Sequence, residues 1–513
     1  MNFTLVSGDA TRTKADLLVF PLFEGELASK KAAAHPELAR ADAKLKGLLR
    51  LAGAQEGFKG RADQTFLLHS QGKLAAGRVA LVGLGPAARF APETLRLALG
   101  RAVKAGLKVK ARSLAVVLPE VRDLEPALKA AAEGLELGAY RYDRWRSPPR
   151  EGRPHPVDRA ALLLPAGAVK SPALERAVAL GREVARATNW ARDLVNEPAG
   201  TMTPTLLAME ATRMATEAGL AVEVGGREQI TELKLGMFLG VARGSDEEPR
   251  LIKLSWIPPD AEAAAAPPVC LVGKAITFDS GGLSLKPSDA MMDMKTDMAG
   301  SAAVLGAMQV IAHLRPPFPV HAFMGACENM PSGRAYRLGD VLVSRLGKTV
   351  EITNTDAEGR LVLGDVLTLA NELKPALLID LATLTGACII ALGNYVVGAF
   401  GDDDPLMYEV LESAREAGED LWRLPMVEHQ KDALKSEIAD LKNAGERAAG
   451  AINAAIFLKE FTGATPWVHL DIAGPSQSPK ERGYFSKGAT GVGVRTLVEL
   501  VRRRAARTPS ART

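Results

Sequence analysis

Short aliphatic runs alternate with amphipathic stretches along most of this chain, and that alternation restricts the fold more than any other feature. Runs at 17–21, 66–69, 79–82, 114–118 and 161–164 read as strands, and apolar residues at helical spacing predict helices around 36–50, 92–105 and 125–138. Strands separated by helices pair in parallel, with helices covering both faces of the sheet. Runs at 251–256, 269–273, 320–326, 349–353, 377–381 and 466–470 repeat the pattern further on. At 513 residues the chain exceeds one ordinary core. The expectation is α/β throughout, in two α/β domains. Residues 1–165 form a smaller domain with a mostly parallel sheet, and 166–194 a linker with a long helix from about 171. Residues 195–513 form a larger domain with a central mixed sheet covered by helices. The Arg- and Pro-rich stretch 140–157 reads as an exposed connection, and 261–268 as a low-complexity loop.

The charge balance narrows the partners. The net charge is +4, yet the five arginines after Val501 come with no acid, so the remainder lies near −1. The basic character belongs to the tail, which reads as a solvated, frayed end. Nucleic acid is a possible partner of such a tail but not an expected one. The three cysteines, Cys270, Cys327 and Cys388, sit far apart in apolar runs and read as buried thiols in a reducing compartment. The start of the chain shows no charged segment leading into a long apolar stretch, and no apolar run reaches spanning length. A cytoplasmic enzyme without membrane contact is the expectation.

The chemistry is concentrated in two segments. NTDAEGRL at 354–361 sets Asp356, Glu358 and Arg360 at alternate positions beside Gly359, between a strand and a helical pattern over 361–373. Open α/β sheets place their chemistry in loops of this kind. The second segment, 272–300, carries Lys274, Asp279, Lys286, Asp293 and Asp297 among glycines after an apolar strand. Unit charges about 4 Å apart repel by roughly 4 kcal/mol at an effective dielectric near 20. Converging carboxylates therefore need cations between them. None of the seven histidines lies in either segment, and His313, His321 and His469 sit in apolar patterns that read as structural. Oxygen donors with one possible amine suit Mn²⁺ or Mg²⁺, and Zn²⁺ also binds such sites.

Together these segments resemble the leucyl aminopeptidase family of dinuclear-metal exopeptidases. The likeness extends through CENMPSG (327–333), LATLTGA (381–387), HLDIAG (469–474) and KGATGVGVR (487–495). The resemblance implies two divalent ions, Mn²⁺ or Zn²⁺, held by Lys274, Asp279, Asp297, Asp356 and Glu358, with Asp279 and Glu358 bridging. It implies a water or hydroxide shared by the ions as nucleophile, and Lys286 donating to the scissile carbonyl. It also implies a bicarbonate ion held by Arg360 with backbone of Ala357, Gly359 and Leu384, acting as proton shuttle. Met294, Asn354, Thr383, Gly386 and Ala473 match or adjoin the lining of the family's first side-chain pocket. The substrates implied are peptides with a free amino terminus, leucine preferred within a broad range. The assembly implied is a homohexamer, a dimer of trimers. A lysine ligand must be neutral, which near pH 7 opposes about 3.4 pH units, or roughly 4.6 kcal/mol; an adjacent dication can supply this.

Some motifs mislead. Gly83-Leu84-Gly85 after an apolar run fits a relaxed dinucleotide pattern, but Pro86 and the missing downstream acid make it read as a plain turn. Gly488, Gly491 and Gly493 read as close-packing glycines before a C-terminal helix.

Overall fold

The computed structural model describes residues 1–29, 35–148 and 156–508. Residues 149–155 of the stretch read as an exposed connection, and Arg512 of the tail, lie outside the described residues. Two compact units form: Met1–Arg186 with Lys480–Lys487, and Ala187–Pro479 with Gly488–Thr513. The boundary near 186 falls inside one long helix, Pro172–Asn196.

In the first unit the strands are β1 (Asn2–Val6), β2 (Leu17–Phe23), β3 (Thr65–His69), β4 (Arg78–Gly85), β5 (Ser113–Val117) and β6 (Arg159–Leu163). They lie in the order β1-β6-β5-β2-β4-β3, and only β3 runs antiparallel to its neighbour. Alternation along β2 feeds two cores. Leu17 and Val19 pack with the helices Pro92–Lys108 and Leu124–Gly138, while Leu18, Phe20 and Leu22 pack with Pro36–Lys44 and Leu48–Gln55. Gly83 and Gly85 belong to the end of β4 rather than to a turn. A Cβ at Gly83 would lie 1.8 Å from the Arg61 carbonyl oxygen, so the chain itself fills the space that a bound phosphate would take.

The second unit is built on β7 (Ala221–Gly225), β8 (Arg250–Trp256), β9 (Val269–Asp279), β10 (Val320–Asn329), β13 (Leu377–Ala382), β14 (Val396–Phe400), β15 (Asp420–Arg423) and β17 (Trp467–Asp471). Their order is β15-β14-β17-β13-β9-β10-β8-β7. The central β17-β13-β9-β10 run is parallel; antiparallel pairs flank it. On one face Val272 and Ile276 meet Leu361, Val362 and Val366 of the helix Gly359–Asn371. On the other the helix Ala299–Leu314 comes so close that a Cβ at Gly273 would lie 2.6 Å from Ser301 Cα. The run at 349–353 belongs to a separate three-stranded sheet: β12 (Thr349–Glu351) sits between β11 (Val341–Val343) and β16 (Leu441–Lys442).

Two further expectations change. The alanine-rich stretch at 261–268 contains a short helix, Ala261–Ala264, because alanine favours helix and Asp260 caps it at the Ala263 amide (2.8 Å). The tail does not fray after Val501: the helix Val494–Arg507 continues to its last basic turn. Arg502 and Arg503 pair with Glu416 and Arg504 with Glu409, so acids of the helix Asp404–Ala417 neutralise much of the tail. The three cysteines are free and buried, and the glycines at 491 and 493 pack within 2.6 Å and 2.4 Å of Thr188 and Leu381 side chains, measured from an added Cβ. No helix among the described residues is long and apolar enough to cross a membrane.

Candidate metal centre and active site

Lys274 and Asp279 lie within β9 itself rather than in a loop after it. Five residues apart, they would point to opposite faces of a regular strand. The pairing of β9 with β10 slips by one residue between Ile276 and Phe278, and the extra residue brings Asp279 round to the side of Lys274. β9 then breaks at Gly281 and Gly282, both at positive φ (86° and 63°). The returning chain delivers Lys286.

The second acidic group comes from the β12-to-helix loop. Glu358 is the N-cap of the helix Gly359–Asn371, where an anion is favoured by the helix dipole. Asp279, Asp356 and Glu358 each offer an oxygen within 4.8 Å of the others. Asp297 joins through Lys274, whose Nζ lies 2.8 Å from Asp297 Oδ2 and 2.9 Å from Glu358 Oε1 and donates to the Thr383 carbonyl oxygen at 3.1 Å. Lys286 Nζ lies 2.9 Å from Asp279 Oδ2 and pairs with Asp356. Lys274 thus pairs with Asp297 and Glu358, and it is Lys286 that takes Asp279.

Burial and charge pull in opposite senses here. Burial alone would lower the Lys274 ammonium, but Asp297, Glu358 and Asp279 hold it above its ordinary value; Lys286 behaves likewise, opposed by burial and raised by Asp279. Burial pushes Asp279 up to about 6 and raises Asp297 and Asp356 as well. Burial acts on Glu358 in the same sense, yet Lys274 and Lys286 hold it below the usual range. Three buried carboxylates and the half-buried Asp356 stand against two ammoniums and leave an excess of negative charge. Asp297 Oδ2 and Asp356 Oδ1, although within ion-pair distance of a lysine, lack a properly directed hydrogen bond. A hard divalent cation answers both deficits, and these side chains fit one.

Around the cluster, the remaining predicted residues fall into place to different degrees. Arg360, buried, donates Nη1 to the Asn443 carbonyl oxygen at 2.9 Å. Burial lowers it to about 10, against the pull of Glu358 and Asp471. Gly359 and Ala357 flank Glu358, and the helix starting at Gly359 turns its free amides toward the same end. Thr383 donates to Asp297 Oδ1 (2.8 Å), and Asn354 Oδ1 accepts from the Asp356 amide (2.9 Å). The Leu384 and Ala473 amides both donate to Asp471 Oδ1, at 3.3 and 3.1 Å. The Met294 carbonyl oxygen accepts from the Asp297 amide (3.4 Å), and Gly386, exposed, opens the helix Gly386–Leu392.

Four residues absent from the sequence reading of the site hold it together. Asn329 Nδ2 donates to Asp279 Oδ1 (2.8 Å) and to the Thr355 carbonyl oxygen (3.0 Å). Thr355 Oγ1 donates to the Gly281 carbonyl oxygen (2.7 Å) and accepts from the Ser284 amide (2.7 Å), so both loops share one clasp. Asn443 and Asp471 are fully buried on the other side. Asp471, between Leu470 and Ile472, could have been flagged by its apolar neighbours; Asn443, which follows Lys442, carries no such signal. His469 is structural, as read: its Nδ1 lies 2.6 Å from Asp380 and its ring stacks between Phe400 and Trp467.

Comparison with known proteins covers this whole arrangement. The profile of the cytosol aminopeptidase family, catalytic domain, matches residues 189–498, and that of its N-terminal domain matches 19–149. A probable cytosol aminopeptidase of Alkaliphilus metalliredigens is 41% identical over 505 residues, 98% of this chain and 99% of that one. Another, of Solibacter usitatus, is 44% identical over 506 residues, again 98% and 99%. Among solved structures, a mutant of tomato leucine aminopeptidase matches with TM-score 0.88 at 37% identity, over 98% of this chain and 97% of its own. The bottromycin maturation enzyme BotP in complex with Mn matches with TM-score 0.83 at 38% identity, over 96% and 100%. Likeness at this level, over both units and through the acidic cluster, establishes that the chain belongs to the cytosol aminopeptidase family and is a metal-dependent aminopeptidase, a hydrolase.

Proposed function

We propose that the chain releases single amino acids from the free amino terminus of peptides, with leucine preferred within a broad range. The observation that carries this reading is the convergence of Asp279, Asp356 and Glu358 within 4.8 Å, joined to Asp297 by Lys274. Lys274, Asp279, Asp297, Asp356 and Glu358 would hold two divalent ions, Mn²⁺ or Zn²⁺, the former favoured by the oxygen-rich donor set. Bound there, such ions supply Lewis acidity and an activated water.

The rest falls to side chains of this chain. Lys274 would have to give up its proton to act as a ligand, and Asp297 and Glu358 oppose that for as long as its ammonium is what balances their charge. Lys286, which pairs with Asp279 and Asp356, would be free to donate to the scissile carbonyl oxygen as charge builds on it if those carboxylates held cations. Arg360 keeps its charge and presents a planar fork at a helix N-terminus, a setting suited to a small planar oxyanion such as bicarbonate, for which backbone of Ala357, Gly359 and Leu384 would be the further partners. When bound, bicarbonate supplies the proton acceptor that this histidine-free loop lacks. Met294, Asn354, Thr383, Gly386 and Ala473 would line the first side-chain pocket; apolar pockets separate one methylene by only about 1–3 kcal/mol, hence the broad preference. A cytoplasmic homohexamer of stacked trimers is part of the same proposal, supported by likeness alone.

The deciding experiment is cleavage of Leu-p-nitroanilide by metal-stripped protein with Mn²⁺ or Zn²⁺ restored. Turnover should appear only on restoration, and cleavage that is indifferent to metal removal would falsify the proposed site.

A further inference from the structure

We infer that Asn443 is a positioning residue that sets the geometry of the loop carrying Asp356, Glu358 and Arg360, required for metal uptake and turnover rather than for folding. Asn443 follows β16, whose pairing with β12 ends with the Asn443 amide donating to the Glu351 carbonyl oxygen at 2.9 Å. Beyond Glu351 the chain leaves regular structure and does not regain it until Gly359. Across that gap one buried side chain serves as the template. Its Oδ1 accepts from the amides of Thr353 (2.9 Å) and Asn354 (3.3 Å). Its Nδ2 donates to the carbonyl oxygens of Asn354 (2.6 Å) and Ala357 (3.4 Å). Its own carbonyl oxygen accepts from Arg360 Nη1 at 2.9 Å.

The side chain therefore grips the loop at Thr353 and Asn354 and again at Ala357, between Asp356 and Glu358, while the main chain holds Arg360. The opposite side of the loop is clasped separately, by Thr355 with Gly281, Asn329 and Tyr336. Loss of the Asn443 side chain should thus leave the fold in place and free the donor atoms to drift. Only an amide serves, because the site needs an acceptor on one atom and a donor on the other. An aspartate of the same shape would set an oxygen against two carbonyl oxygens.

This inference rests on the dinuclear-metal reading, and its test separates the two. Asn443→Asp and Asn443→Ala are made in the full-length chain, with Asp403→Ala as a control, since Asp403 only caps the remote helix Asp404–Ala417. Mn²⁺ is titrated calorimetrically into each metal-stripped protein, thermal melting is recorded in EDTA, and kcat and KM for Leu-p-nitroanilide are measured at saturating Mn²⁺. Both Asn443 variants should bind Mn²⁺ about tenfold or more weakly and lose about tenfold or more in kcat. KM should stay within about threefold, the signature of an interaction that matters to the reacting geometry. Asp403→Ala should melt earlier yet keep wild-type Mn²⁺ affinity and kcat. Wild-type Mn²⁺ affinity in the Asn443 variants overturns the inference, and so does a loss of kcat that merely tracks the unfolded fraction. Failure of both variants to fold in EDTA overturns it too, because Asn443 would then hold the fold. If the wild type cleaves no peptide while the variants still bind Mn²⁺ weakly, the peptidase reading fails and the role of Asn443 stands.

Discussion

A Cβ placed on Gly359 would stand 2.4 Å from Lys274 Cε and 2.6 Å from Lys274 Nζ. Lys274 cannot swing aside, since it is enclosed by Asp297, Glu358 and the Thr383 carbonyl oxygen. The glycine of the acidic motif is therefore needed for the lysine of the other segment, not for a turn. Gly359→Ala should displace Lys274 and cost about 1–3 kcal/mol by overpacking. Turnover of Leu-p-nitroanilide should fall much further than the shift in melting temperature explains. Wild-type turnover in this variant would show that Lys274 needs no fixed place.

The excess of acid in the cluster predicts opposite effects with and without metal. Asp279 Oδ1 accepts from the Gly281 amide and Asn329 Nδ2, both at 2.8 Å, while Oδ2 faces Lys286. An asparagine can keep the first oxygen's bonds and removes one charge from an overcharged pocket, but its amino group would face the Lys286 ammonium, which keeps only Asp356. In EDTA, near pH 8, the two effects offset and Asp279→Asn should melt close to the wild type. In Mn²⁺ at about 100 times its Kd the wild type should gain about 2.7 kcal/mol by mass action, and the variant little. Equal gains in both, followed by thermal melting, would remove Asp279 from the ligand set.

The sequence carried the fold class because buried strands of parallel sheets read as aliphatic runs, and β2, β4, β5, β9 and β13 are all of this kind. It did not carry β1, whose polar alternation marks an edge strand paired only with β6, nor β15, which is largely exposed. The charged residues of the site stood out because lysine, aspartate and glutamate are poor packing material. Asn329, Thr355, Asn443 and Asp471 did not, since a buried polar residue looks the same in sequence whether it ties two loops or caps a helix. The one-residue slip in β9 has no signal at all. It arises from how β9 meets β10, a contact between segments about fifty residues apart, as in the Cys327–Ile276 pair.

Asp365 gives the second unit a pH dependence separate from the metal site. Burial carries its carboxyl from 3.8 up to about 7, although the Arg345 and Phe238 amides donate to it at 2.7 and 3.0 Å. The folded state then holds the proton more tightly than the unfolded chain. Its contribution is complete below the unfolded value and is lost as pH rises toward about 7. Across that window the loss is on the order of 4 kcal/mol. Urea unfolding of metal-stripped protein near pH 5 and near pH 8 should show the wild type losing stability relative to Asp365→Asn. Parallel pH profiles would mean that Asp365 titrates normally.

Asp471 ties the loop at Leu384 and Thr385 to the turn at Ala473, and its geometry and its charge can be tested apart. Through Oδ1 it accepts from the Leu384 and Ala473 amides, and through Oδ2 from Thr385 Oγ1 at 2.7 Å. It is fully buried, and burial raises its carboxyl above the ordinary range in spite of those donors and the nearby His469. An asparagine can accept from both amides with its oxygen and turn its amino group to the threonine hydroxyl, which accepts as readily as it donates. Asp471→Asn should therefore lie within about 1 kcal/mol of the wild type, whereas Asp471→Ala strands the buried Thr385 hydroxyl and the half-buried Leu384 and Ala473 amides and should cost about 2–3 kcal/mol. The same change should separate two functions of the residue. If Asp471 acts on Arg360 only by placing the 383–386 loop, Asp471→Asn keeps kcat. If its negative charge balances the guanidinium, kcat falls in the asparagine variant while urea stability holds, and the two measurements on one protein distinguish them.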